Sequence, residues 1–176
     1  MDSSAKLQNI LEQNIQDTRL LEFLNFCLRQ HAEKFFTLPV SISFHGRDAG
    51  REGSNAQHII RCLEIAIALK PILTAEACNV NFDHLLGAIT LHDMGKLMCY
   101  AKENGIWKYF GVNSSAHPGI GAELVEKLAY QFSIQIPEIL GAIKAHYGPY
   151  GNVNPETPLE WGLHLIEMLE TKCKAD

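Results

Sequence analysis

The chain has 176 residues, of which 47% are hydrophobic, with a net charge of −5. It is long enough for one domain with a proper core, and its acidic balance argues against a general grip on nucleic acid, which needs a basic surface. No apolar stretch approaches the roughly 18 residues needed to cross a bilayer, so no membrane association is expected.

At the N-terminus, Met-Asp-Ser-Ser-Ala-Lys lacks the basic region and apolar segment of an export signal, and a cytoplasmic location is the default expectation. From Ala5 to about Lys34 apolar residues recur at three- and four-residue steps (Leu7, Ile10, Leu11, then Leu20, Leu21, Leu24, Leu28), with Asp17 as a cap dividing two helices. This helix pair is a candidate dimerisation surface. Phe35 to Asn55 reads as a connection, with Pro39, Gly46, Gly50 and Gly53 and with Arg47 and Arg51 interleaved. Gly53-Ser54-Asn55 is expected to cap a helix from Ala56 to about Leu69, which Pro71 ends or restarts as a short turn. Asn81 or Asp83 caps the next helix, a buried run through Leu85, Leu86, Ile89 and Leu91 to the pair His92-Asp93, with Gly95 as its stop.

The period then changes. Asn104-Gly105, flanked by Tyr100 and by Ile106, Trp107, Tyr109 and Phe110, predicts a short β-hairpin within 97–110. Pro118, Pro137 and Pro158 each suit the first position of a helix, and the second of these helices leads to His146. The five cysteines (Cys27, Cys62, Cys78, Cys99, Cys173) are odd in number and scattered, which reads as reduced thiols without a disulfide framework. The expected fold is a single all-α domain, a helical bundle carrying one hairpin insertion.

Eight histidines are a modest excess and the one compositional hint toward metal. His58, His92, Asp93, His117, His146 and Glu167 each sit at or near the end of a predicted helix. Imidazole and carboxylate together suit divalent ions of the Mn, Fe, Co, Ni or Zn type. Such an ion lowers the pKa of bound water and neutralises charge on a phosphoryl group under in-line attack. The alternatives for single residues are ordinary: His117 as a polar residue before Pro118, His146 as a helix C-terminal cation, Glu167 as a solvated helix residue. Lys96 offers a cation to a substrate phosphate or is a helix-end lysine. Arg47, Arg51 and Arg61 bind phosphate or carry surface charge. His31, His45, His84 and His164 are given surface or satisfied-core roles.

At these residues the chain resembles the HD superfamily of metal-dependent phosphohydrolases, over roughly Gly53 to Glu170. The family's first histidine matches His58 in Gln57-His-Ile-Ile-Arg-Cys-Leu-Glu. Its core His-Asp-x-Gly-Lys matches His92-Asp93-Met94-Gly95-Lys96, and the two extra histidines of the binuclear branch match His117 in His-Pro-Gly-Ile and His146 in Ala-His-Tyr. The family's last aspartate falls on Glu167, a departure that lengthens the ligand's arm. The resemblance divides the chain into N-terminal helices with a Gly/Arg loop (1–52) and an HD-type metal-binding core (53–170). The cyclic-di-GMP and guanosine-tetraphosphate hydrolases of the superfamily continue their motifs differently and are set aside.

The resemblance implies a phosphohydrolase that cleaves a phosphomonoester or phosphodiester, with a nucleotide as the expected partner, by attack of metal-bound hydroxide. One or two transition-metal ions are implied, with Asp93 as the bridging ligand and Lys96 polarising the phosphate. Two rivals accompany it. One is a non-catalytic metal- and nucleotide-binding regulatory module, for which Glu167 and the small size speak. The other is a single-strand nuclease working through Trp107, Tyr109 and Phe110.

Overall fold

Helix α5 (Phe82–Leu91) has apolar residues on all sides, and every residue from Leu85 to Leu91 is buried. A helix of that kind is stable only when others enclose it, and it is packed against α2 (Thr18–Gln30), α4 (Ser54–Leu73), α8 (Pro137–Ala145) and α9 (Pro158–Lys172). A computed structural model describes residues 2–42, 48–111 and 114–172; His45, Gly46, Arg47 and Cys173 lie outside the described residues. The remaining elements are α1 (Ser3–Asn14), α3 (Ala32–Phe35), α6 (Lys96–Cys99), β1 (Tyr100–Glu103), β2 (Ile106–Tyr109) and α7 (His117–Phe132). The described residues are mostly helical, with one small antiparallel hairpin among them. No helix among the described residues is long and apolar enough to cross a membrane.

The N-terminal helix pair belongs to this core. Leu7, Leu11, Leu20, Phe23 and Leu24 are all buried in it, so the pair's apolar face is used within the chain and is not exposed. Asp17 caps α2, its Oδ1 accepting from Leu20 N at 3.0 Å. Asn81 caps α5 through His84 N. Asp83, the other candidate, instead accepts from the backbone N–H of Gln16 and Asp17 at 2.9 and 2.7 Å, tying the start of α5 to the α1–α2 corner.

Two helix boundaries differ from expectation. Helix α4 begins at Ser54, after Gly53 in a left-handed conformation, and Ser54 Oγ accepts from Val40 N while donating to the Arg51 carbonyl. The same helix continues through Pro71 to Leu73. Proline in the last turn forfeits one backbone bond there, and the helix ends before a longer distortion develops. The hairpin is as the Asn104-Gly105 signal requires, with both turn residues at positive φ and Glu103 paired to Ile106. Trp107 is turned inward and buried, Tyr109 packs on Tyr100 yet stays exposed, and Ile106 and Phe110 are broadly exposed.

Gly95 does not stop a helix by a left-handed turn; its φ is −64°. It is the point where α7 comes closest. A Cβ built there would stand 2.0 Å from the His117 carbonyl oxygen and 2.7 Å from Gly121 N. The two backbones meet directly, which brings His117 against the His92-Asp93 turn. Gly95→Ala forces them apart and is expected to cost about 1–3 kcal/mol, lowering Tm by roughly 2–4 °C for each kcal/mol. Gly119→Ala, with open space around it, serves as the control in the same thermal scan and leaves Tm unchanged or slightly raised.

Candidate metal centre

Two helices end in the same way. Helix α5 stops at Leu91 and α8 at Ala145, and the next residue of each is a histidine. His92 Nδ1 donates to the Ile89 carbonyl and His146 Nδ1 to the Ile143 carbonyl, both at 2.7 Å. A carbonyl only accepts, so a proton sits on each Nδ1 and Nε2 is the nitrogen that faces the interior. Buried backbone oxygens that the helix end leaves without a partner thereby orient two imidazoles.

The other site residues arrive from three more segments. His58 comes from the first turns of α4, His117 opens α7, and Glu167 lies on α9. Glu167 Oε1 is 2.9 Å from His58 Nε2 and 2.7 Å from His92 Nε2. Asp93 Oδ1 is 3.1 Å from His117 Nε2, while its Oδ2 is 3.4 Å from His92 Nε2. His117 Nε2 and His146 Nε2 are 3.1 Å apart. All six ligand-type residues are thus brought together, and four imidazoles and Asp93 are buried.

Three groups among the described residues can hold a metal ion: His58 with His92 and Asp93, Asp93 with His117 and His146, and His58 with Cys62 and Glu170. Asp93 belongs to the first two. Donors held about 2.0–2.2 Å from one cation are themselves about 3.0–3.5 Å apart, and the His92–Asp93, His117–Asp93 and His117–His146 separations of 3.4, 3.1 and 3.1 Å fall in that range. His92 Nε2 supplies a second sign of fit, being buried with no hydrogen bond among the described residues. Its nearest polar neighbours are carboxylate oxygens, Glu167 Oε1 at 2.7 Å and Asp93 Oδ2 at 3.4 Å.

The field around these residues favours positive charge. Burial opposes protonation of His92, yet the Asp93 and Glu167 carboxylates outweigh it and raise its pKa to about 10. His58 is raised as well, against burial, by Cys62 and Glu167. His146 goes the other way: burial, then the neighbouring His92 and His117, lower it to about 3 and keep it in the neutral, ligating form. Asp93 and Glu167 are held well below the usual carboxylate range, since their imidazole neighbours, and Lys96 for Asp93, overcome the burial that would raise them.

An outer layer holds the inner one. Glu170 Oε2 is 2.7 Å from His58 Nδ1, and its Oε1 accepts from Arg61 Nε at 2.6 Å. Arg61 then reaches Asp48 at 3.2 Å. Glu170 went unrecognised in the sequence, although its three-residue spacing from Glu167 puts both on one face of a helix. Arg61 is engaged by Glu170 and Asp48, and Arg51 by Asp48 and Gln57.

Lys96 is buried, and its Nζ donates to Asp93 Oδ2 at 2.5 Å, Val40 O at 2.7 Å and Asn55 Oδ1 at 3.2 Å. Three donors meet three protein acceptors, so Lys96 fixes Asp93 and has no donor left for a phosphate. His84 pairs with Glu138, and His164 is buried with Nδ1 donating to the His146 carbonyl.

Removing the outer carboxylate should loosen metal held by His58, His92 and Asp93 without removing any of those three: Glu170→Ala is expected to weaken metal affinity about 10–100-fold, read by competition with a fluorescent chelator. Because His92 without metal carries a proton up to pH about 10, metal must displace it throughout the neutral range. Affinity should therefore rise with pH, by up to about tenfold per unit for one proton released. Calorimetry in buffers of different ionisation enthalpy counts that proton. Comparison with known proteins adds nothing to this geometry: no family model, no curated protein and no solved structure matches the chain.

Proposed function

We propose that the chain is a metal-dependent phosphohydrolase of the HD type, acting on a phosphomonoester or phosphodiester of a nucleotide. The observation that carries this reading is the position of Asp93, whose two oxygens face different groups of imidazoles, Oδ1 toward His117 and Oδ2 toward His92. A carboxylate so placed suits a pair of cations, with His58, His92 and Glu167 on one side and His117 and His146 on the other. The imidazole-rich donor set favours Mn, Fe, Co, Ni or Zn over Mg or Ca. Bound ions of this kind supply a nucleophile from water near neutral pH and neutralise charge on the phosphoryl oxygens.

The chain's own residues do the rest. Lys96 holds Asp93 in one orientation and keeps it ionised. Glu170 and the Ile89 and Ile143 carbonyls fix which nitrogen of His58, His92 and His146 faces inward. Tyr147, its phenol kept protonated mainly by burial and then by Asp93 and Glu167, stands 3.4 Å from His117 as a neutral donor at the edge of the site. Glutamate at 167 reaches both His58 and His92, so its longer arm remains within ligating range. The nuclease reading is disfavoured by the burial of Trp107, the largest ring of the hairpin.

The test is hydrolysis of p-nitrophenyl phosphate and its bis-ester by metal-stripped protein reloaded with Mn, Co, Ni or Zn. Turnover is expected with at least one ion. Asp93→Ala should reduce it by about 10²–10⁴-fold, the worth of several kcal/mol of Lewis-acid stabilisation. Stoichiometric metal with no turnover on either ester would replace this reading with the non-catalytic binding module.

A further inference from the structure

Beside the metal centre lies a cavity of about 380 Å³, lined by His146 and Glu167 of that centre and by Tyr147, Tyr150, His164 and Met168 among others. Its volume is near the lower end of small-molecule sites, about 300–1,000 Å³, which suits one nucleoside and not a run of nucleotides. Two of its residues, His164 and Tyr150, carry polar or aromatic groups that the chemistry described above does not use.

His164 is only 6% exposed. Its Nδ1 donates to the His146 carbonyl at 3.0 Å, so Nε2 carries a lone pair. No described residue partners that Nε2. The ring is pinned as well: Gly148, at φ +57°, lies so close that a Cβ there would come within 2.4–2.6 Å of three ring atoms. A rigid, nine-tenths-buried acceptor on a cavity wall is a specificity element of the kind small-molecule sites use sparingly. Tyr150 is 78% exposed, and its ring lies 6.5 Å from that of His164. It offers an aromatic face that nothing in the core requires.

We infer that this cavity receives the nucleobase of the substrate, stacked on Tyr150 and hydrogen-bonded through a base N–H donor to His164 Nε2. The inference rests on the phosphohydrolase reading for its anchor, since a phosphate at the metal centre places the rest of the molecule beside His146. His164 joins the two regions directly, because its other nitrogen holds the backbone of His146.

The test is equilibrium binding to metal-loaded protein of the four common nucleoside monophosphates and of ribose phosphate, which has no base. At least one nucleotide is expected to bind about tenfold or more tightly than ribose phosphate, the scale of one base–aromatic stack. His164→Asn keeps a donor where Nδ1 stands and removes the Nε2 acceptor. It should erase most of that preference while metal content and ribose phosphate affinity stay unchanged. Tyr150→Ala, at an exposed position, should do the same without touching the metal centre, and remains informative if the first variant folds poorly. Equal binding of all five compounds, or a preference that survives both substitutions, overturns the pocket. A preference without turnover removes the hydrolytic reading and leaves the pocket standing; turnover with no preference does the reverse.

Discussion

Three carboxylates, those of Asp93, Glu167 and Glu170, are drawn into the interior of this molecule, and everything around them answers to that charge. Bringing a carboxylate out of water costs several kcal/mol unless cations and hydrogen bonds compensate it. Two fixed cations, Lys96 and Arg61, reach Asp93 and Glu170 respectively. Glu167 is left facing His58 and His92, and those imidazoles are the ones the surroundings drive toward protonation. A proton is one way to meet that demand. A divalent cation shared among the same donors is the other, and the neutral His146 beside them is already in the form a metal takes.

The layers of the site divide the work. Imidazoles and carboxylates of the inner layer come from α4, α7, α9 and the turns after α5 and α8, so no single segment carries the centre. The outer layer selects tautomers and rotamers, with Ile89 and Ile143 carbonyls, Glu170 and Lys96 each holding one inner group. Such support raises ligand basicity and limits movement. It extends to the surface through Arg61 and Asp48, linking His58 to the segment just before α4.

Close backbone approach is what allows the two halves of the site to share Asp93. The contact between Gly95 and Gly121 lets the start of α7 lie against the His92-Asp93 turn. Any side chain at either position would move His117 away from Asp93. The glycine of the His-Asp-x-Gly-Lys run thus has a steric reason that its backbone dihedrals alone do not reveal.

Local rules carried much of this molecule. Apolar periodicity placed the helices, Asn104-Gly105 placed the hairpin, and Pro118, Pro137 and Pro158 placed three helix starts, because each depends on interactions within a few residues. The ligand-type residues were legible for the same reason: His92 and His146 follow directly on helix ends, where side chains point into shared space. What the sequence alone did not determine depends on contacts between distant segments. Lys96 reads as a helix-end cation until Val40 and Asn55 are seen to enclose it. The N-terminal pair reads as exposed until its leucines are found against α4 and α5. Glu170 and His164 acquire roles only from His58 and the His146 backbone, 112 and 18 residues away. Local spacing fixes which face a residue occupies on its own helix; only the packing of helices decides what that face meets.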